Sequence, residues 1–179
     1  MTKKQSSLIL GFASLLVLVP SLRAQAVYSA DKKSMLQVGA GVLYLKPDYV
    51  DTSIEGASIW ADYDFRRFIG VEADIHIGSI ITPSDISENS YFVGPRFMYH
   101  RHKITAYGKF LFGRATITNQ DNNQSSSYNA YAFGGGVEYR IMRKINIRVV
   151  DFELQQWPNF EPNTLSPLAI SIGASYIIK

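Results

Sequence analysis

The sequence predicts an all-β fold: an eight-stranded antiparallel up-and-down transmembrane β-barrel. Three observations carry that reading. Eight segments alternate apolar and polar residues with period two, the spacing at which strand side chains change faces. The connections between them are alternately short and long, as they are when tight turns gather at one rim of a barrel and loops at the other. The apolar face carries aromatic residues near both strand ends, where amphipathic rings meet the two interfaces of a bilayer.

The first 26 residues stand apart from this pattern. Lys3 and Lys4 open a basic start, "LILGFASLLVLVP" follows as an apolar run, and Ala24-Gln25-Ala26 supplies a small-x-small cleavage pattern. The run is shorter than the ~20 residues a spanning helix needs. Residues 1–26 are therefore expected to be a secretory signal peptide cut after Ala26, with Ala24 as the second choice, and 27–179 to be the barrel. The segment also distorts the charge balance. Setting aside Lys3, Lys4 and Arg23 from the 18 basic residues leaves 15 against 15 acids. A neutral balance gives no argument for a nucleic-acid partner. The chain has no cysteine, which excludes a thiol-linked lipid anchor and disulfides.

Taken in order, the segments are as follows. At 35–46, Val38, Ala40, Val42 and Tyr44 share one face and Gly39 and Gly41 the other. At 57–65 the apolar face is Ala57, Ile59, Ala61, Tyr63 and Phe65. At 68–79, "FIGVEADIHIGS", Val71, Ala73 and Ile75 alternate with Glu72, Asp74 and His76. At 91–100, Val93, Pro95, Phe97 and Tyr99 oppose Arg96, and at 104–117 Lys109 lies opposite the apolar set. At 128–141, Tyr131, Phe133, Val137 and Tyr139 oppose Gly134, Gly136, Glu138 and Arg140. The seventh, 145–155, breaks parity: Ile145, Ile147 and Val149 fall in step with Asp151 and Glu153, and Arg148 out of step. A β-bulge at Val149-Val150 restores the order and turns Arg148 and Asp151 to the same side. The last, 167–178, places Leu168, Ile170, Ile172, Ala174 and Tyr176 on the apolar face.

The short connections are Arg66-Arg67, His100 to Lys103 and Met142 to Lys144. The long ones are "PDYVDTSIEG", "ITPSDISENS", "NQDNNQSSS" and "QWPNFEPNTLS". The long loops are expected outside the cell and the short turns in the periplasm, with the polar "TNQDNNQSSS" stretch mobile.

The face with glycines and charges of both signs is expected inside. An eight-stranded barrel has room for side chains only if small ones alternate with large. Turning a strand round would put Arg96 or Arg148 against lipid at about 2–4 kcal/mol each. Several such strands would outweigh the ~5–15 kcal/mol that holds a domain folded. The expected interior charge network is Glu72, Asp74, His76, Arg96, Lys109, Glu138, Arg140, Arg148, Asp151 and Glu153. Arg114 has lipid-facing parity near the outer end of its segment, where it could snorkel to water or meet a lipopolysaccharide phosphate.

Given "MLQVGAGVLYL", "YFVGPRFMYH", "AFGGGVEYRI", "INIRVVDFE" and the closing "AISIGASYIIK", the chain resembles the small eight-stranded outer-membrane barrels, the superfamily of the OmpA membrane domain, OmpX and the opacity-type proteins. The resemblance implies an outer-membrane location, contact with outer-membrane lipid, assembly by the barrel-assembly machinery and a monomeric state. Family members usually end in an aromatic residue, whereas this sequence ends Ile178-Lys179, with Tyr176 at a compatible parity. No counterpart of the peptidoglycan-binding domain that follows the barrel in full-length OmpA-type proteins is expected.

No constellation points to catalysis, a cofactor or a metal. The histidine–serine pair of lipid A deacylase barrels lies two residues apart on a lipid-facing strand, whereas His76 is followed by Ile77 and Gly78 and points inward. His100 and His102 make at most a weak surface metal site. Glu72 and Asp74 could be an acid–base pair, but an interior salt-bridge network accounts for them with less. The "GGG" at 134–136 has no helix after it to bind phosphate. The expected function is a non-enzymatic integral outer-membrane protein with a structural or surface-interaction role through its loops. The alternatives are a narrow ion-conducting pore and a soluble lipocalin-like binder with its apolar face inward.

Overall fold

The computed structural model describes residues 34–48, 53–78, 86–119, 124–158 and 164–178. The expected signal peptide, and most of the long loops, lie outside the described residues. Each alternating segment is a strand: β1 (Met35–Lys46), β2 (Ile54–Asp64), β3 (Ile69–Ile77), β4 (Ile86–Arg101), β5 (Ile104–Asn119), β6 (Gln124–Met142), β7 (Ile145–Gln156) and β8 (Leu168–Ile177). Every neighbour in the chain pairs antiparallel, and β1 also pairs with β8 through Val38↔Tyr176, Gly41↔Gly173 and Tyr44↔Ile170. The sheet is thus a closed barrel without a free edge to recruit another chain.

Exposure alternates as the sequence parity requires. On β3 and β4, Val93 and Phe97 are 52% and 55% exposed, while Glu72 and Arg96 are 0% and 1%. Tyr44 and Tyr91 face outward at one rim, and Phe65, Tyr99, Tyr139 and Tyr176 at the other. Hydrocarbon side chains point out and ionic ones in. A soluble binder with its apolar face inward requires the reverse.

The bulge in β7 is present. Arg148 pairs with Gly173 and Asp151 with Ser171, so Val149 and Val150 together oppose one residue of β8. On the other side Glu138 pairs with Arg148 and Val137 with Val150. Arg148, Asp151 and Glu153 are all buried as a result. A second irregularity, between Arg140 and Met142 beside the short turn, has no signal in the sequence pattern. Because the β7 bulge adds one residue to an otherwise matched ladder, deleting Val149 leaves Arg148 in, Val150 out and Asp151 in. The deletion variant is expected to fold and keep its heat-modifiable gel migration, losing only the local twist the bulge supplies. A variant that fails to fold would show that the extra residue is required.

Three strands run further than expected. β4, β5 and β6 are 16, 16 and 19 residues long, against the ~9–11 a tilted strand needs to cross a bilayer. The polar stretch read as a mobile loop is in part a ladder: Thr116↔Ser127, Ile117↔Ser126 and Thr118↔Ser125 pair. Hydroxyl bonds tie Thr116 to Ser127 at 2.9 Å and Thr118 to Ser125 at 3.3 Å. Cross-strand Thr–Ser pairs stabilise a ribbon beyond the lipid, where apolar alternation is not needed. Residues 120–123 of that stretch lie outside the described residues.

Candidate functional site

The barrel interior brings most of the expected charges into one buried cluster. β3 supplies Glu72 and Asp74, β4 Arg96, β5 Lys109, β6 Glu138 and β7 Arg148, Asp151 and Glu153. Cross-strand pairing sets Arg96 opposite Lys109 and Glu138 opposite Arg148. Lys109 Nζ, with three N–H donors, lies among four carboxylates: Glu72 at 2.9 Å, Asp74 at 2.7 Å, Asp151 at 2.6 Å and Glu153 at 2.5 Å. Arg148 bridges Glu72 at 3.0 Å, Glu138 at 3.4 Å and Asp151 at 3.5 Å. Arg96 pairs with Glu72 and Glu138, each at 2.9 Å, and with Asp62. Charges this far from water persist only when paired and hydrogen-bonded, and here each cation meets at least three carboxylates.

Aromatic rings complete the filling. The Arg96 guanidinium lies 3.9 Å from the centre of Tyr107, and the Arg148 guanidinium lies 4.1 Å from Trp60 and 5.1 Å from Tyr107. Tyr107 also donates to Asp151 at 2.9 Å. Trp60, 1% exposed, finds its space because its register partner Gly39 has no side chain, and Gly173 on β8 has none either. A Cβ on Gly39 would run into the indole ring. These glycines serve close packing of an aromatic ring across the interior.

The interior is layered. Toward the loop side, Phe92, Leu111, Ala115, Ala130, Ala132, Trp157 and Leu165 form one apolar cluster, and Leu43, Leu45, Ile54 and Ala169 a second. Toward the turn side, Gln37 donates to Asp62 at 2.6 Å and accepts from Asn146 at 2.7 Å. Arg140 lies at this end, half-buried, bonding Asn146 at 3.3 Å and the Met35 sulfur at 3.6 Å. It thus stands at the margin of the carboxylate cluster. His76 is buried beneath the apolar layer, 3.2 Å from both Ser90 Oγ and Gln155 Nε2 and 3.6 Å from Glu153. Arg114 is exposed near the loop end of β5, with Tyr91 and Asn129 as its register partners.

Asp62, Gln37, Trp60 and Tyr107 belong to the cluster and escaped the sequence reading, although all four hold the inward parity of their strands. Two carboxylate groupings, Asp74–His76–Glu153 and Glu72–Asp74–Asp151, have the spacing of metal ligands. The Lys109 ammonium sits between the carboxylates of both. It is the cation they hold.

The comparisons with known proteins agree with the geometry. The sequence matches the family described as the outer membrane protein beta-barrel domain over residues 12–177. No curated protein matches the chain. Among solved structures it is similar to Ail, the attachment invasion locus protein of Yersinia pestis, in complex with the heparin analogue sucrose octasulfate. That likeness has 18% identity and a TM-score of 0.52 over 82% of this chain and 99% of that one. It is also similar to Neisserial surface protein A, at 11% identity and a TM-score of 0.58 over 80% and 96%. A third is the N-terminal barrel domain of Pseudomonas aeruginosa OprF, at 11% identity and 0.56 over 82% and 100%.

Proposed function

We propose, because the chain belongs to the outer membrane protein beta-barrel domain family, that it is a non-conducting, non-enzymatic barrel of the outer membrane whose work is structural or is done by its loops. The loops face outside the cell and the short turns the periplasm. A cleaved signal peptide exports the chain, the barrel-assembly machinery inserts it, and it stands as a monomer. Arg114, at the level of the loop-side Tyr91, is where a lipopolysaccharide phosphate would be met.

One observation supports this reading above the others: the packed layer of Arg96, Tyr107, Arg148 and Trp60 across the interior. A water-filled conduit would have to pass between a guanidinium and an aromatic ring in direct contact. The interior charges serve to hold the strands together, and an acid–base role for Glu72 and Asp74 would need substrate to reach groups that are 0% and 1% exposed. The polyanion in the Ail structure does not suit this chain, whose loops carry Asp48, Asp51, Asp85, Asp121 and Glu161.

The test is electrical. Reconstituted in planar bilayers, the protein and its Arg96→Ala variant are both expected to give no single-channel steps, because Arg148 and Trp60 still fill the section. Steps in the unaltered protein would establish the pore reading instead.

A further inference from the structure

The ionic residues of the connections are sorted by sign, although the outward faces of the strands carry exposed Lys46, Glu55 and Arg114 near the loop end. The three short turns, 65–68, 101–103 and 142–144, carry Arg66, Arg67, Arg101, Lys103, Arg143 and Lys144 and no acid. All six are exposed. The long connections at 47–53, 79–85, 120–123 and 157–167 carry five acids and no base. Overall neutrality conceals this separation.

Two of the three cationic turns hold a cation against an aromatic ring. Arg67 lies 5.2 Å from the centre of the Phe68 ring, and Lys144 Nζ 5.6 Å from that of Tyr176. Both rings face outward and are half-exposed, as members of an interfacial aromatic girdle are. Two of the six cations are thus folded against rings that stand at the lipid boundary instead of reaching into the aqueous space beyond it. A cation over an aromatic face keeps its charge and loses little hydration, so it remains available to a phosphate beside it.

We infer that the rim of short turns is a binding surface for anionic phospholipid headgroups, phosphatidylglycerol or its relatives, in the periplasmic leaflet. The inference rests on the orientation proposed above, with the turns in the periplasm. The recognised chemistry is a phosphodiester carrying net negative charge, held by point charges at headgroup level. Each basic side chain near such a surface favours an anionic lipid by about fivefold, an attraction that fades beyond the Debye length of ~8 Å at physiological salt. A zwitterionic headgroup gains little. Peptidoglycan, which also carries negative charge, lies further into the periplasm than side chains folded onto the girdle reach.

The experiment uses the protein extracted from membranes and reconstituted in phosphatidylcholine bilayers, with spin-labelled phosphatidylglycerol or phosphatidylcholine as probe. The motionally restricted fraction is expected to favour the anionic probe by about fivefold at low salt and to lose that preference in 1 M salt. The variant R66Q/R67Q/R101Q/K103Q/R143Q/K144Q should bring the ratio close to one, while R66K/R67K keeps it. Heat-modifiable migration verifies that each variant is folded, as exposed turn substitutions should leave it. Equal preference in the unaltered protein and the glutamine variant overturns the proposal. So does a ratio near one accompanied by turn-dependent sedimentation with peptidoglycan sacculi. Orientation is read separately, by thiol labelling of Lys103→Cys: no reaction in intact cells and reaction after permeabilisation support the periplasmic assignment. Labelling in intact cells shows that the orientation has failed, and with it the choice of leaflet, even where the vesicle preference holds.

Discussion

Replacing Lys109 with methionine is expected to destabilise the folded barrel by about 3–5 kcal/mol, because it leaves buried carboxylates without their cation. The methionine keeps most of the lysine stem, so packing changes little and charge is what is removed. The Lys109 ammonium contacts Glu72, Asp74, Asp151 and Glu153, each within 2.9 Å. Its loss would leave Arg96 and Arg148 as the remaining cations of the cluster. Denaturant unfolding in lipid vesicles, followed by gel migration, measures the change. A second variant separates charge from packing. K109M combined with Asp74→Asn and Glu153→Gln should recover much of the loss, since a buried ionic group exchanged as a set for neutral ones is often close to neutral in stability. A small effect of K109M alone would mean that the carboxylates are neutralised by something other than the lysine.

Truncating Trp60 to alanine is expected to cost a similar ~3–5 kcal/mol, the range for removing a fully buried large aromatic side chain. The loss has two parts. The indole fills the space left by Gly39 and Gly173, and it presents its face to the Arg148 guanidinium at 4.1 Å. A desolvated contact of that kind is worth about 2 kcal/mol. Phenylalanine should restore part of both, and Gly39→Ala in the unaltered protein should strain the same contact from the opposite side. The same unfolding assay measures all three. A Trp60→Ala variant as stable as the parent would show that the interior is not close-packed around the ring.

Much of this was legible before any coordinate. In "FIGVEADIHIGS" strict alternation leaves one arrangement that keeps acids from lipid, and β3 adopts it. The bulge at Val149-Val150 was legible for a related reason: Ile147 and Asp151 share a parity, and only an added residue lets both sit where their chemistry requires. Asp62 and Trp60 were less legible although "ASIWADYDF" alternates as cleanly, because an apolar tryptophan on the inward parity blurs the ionic character of that face. The apolar layer beneath the loops is a different case. In "GVLYL", Val42 and Tyr44 face lipid while Leu43 and Leu45 face the interior, and a continuous apolar run has no period to tell the two apart. The outward extension of β4 to β6 was illegible because hydroxyl pairs and backbone bonds hold that ribbon together, and neither produces an apolar pattern.

Nitroxide labels placed singly along β8, from residue 168 to 176, test the central orientation most directly. Inward positions there such as Ala169 and Ser171 are small and take no part in the ion pairs of the cluster, so labels disturb it least. In lipid vesicles, collision with dissolved oxygen should peak at residues 170, 172, 174 and 176 and fall at 169, 171, 173 and 175. Maxima at the odd-numbered positions, or no alternation at all, would contradict an assembly with hydrocarbon outside and paired charges within.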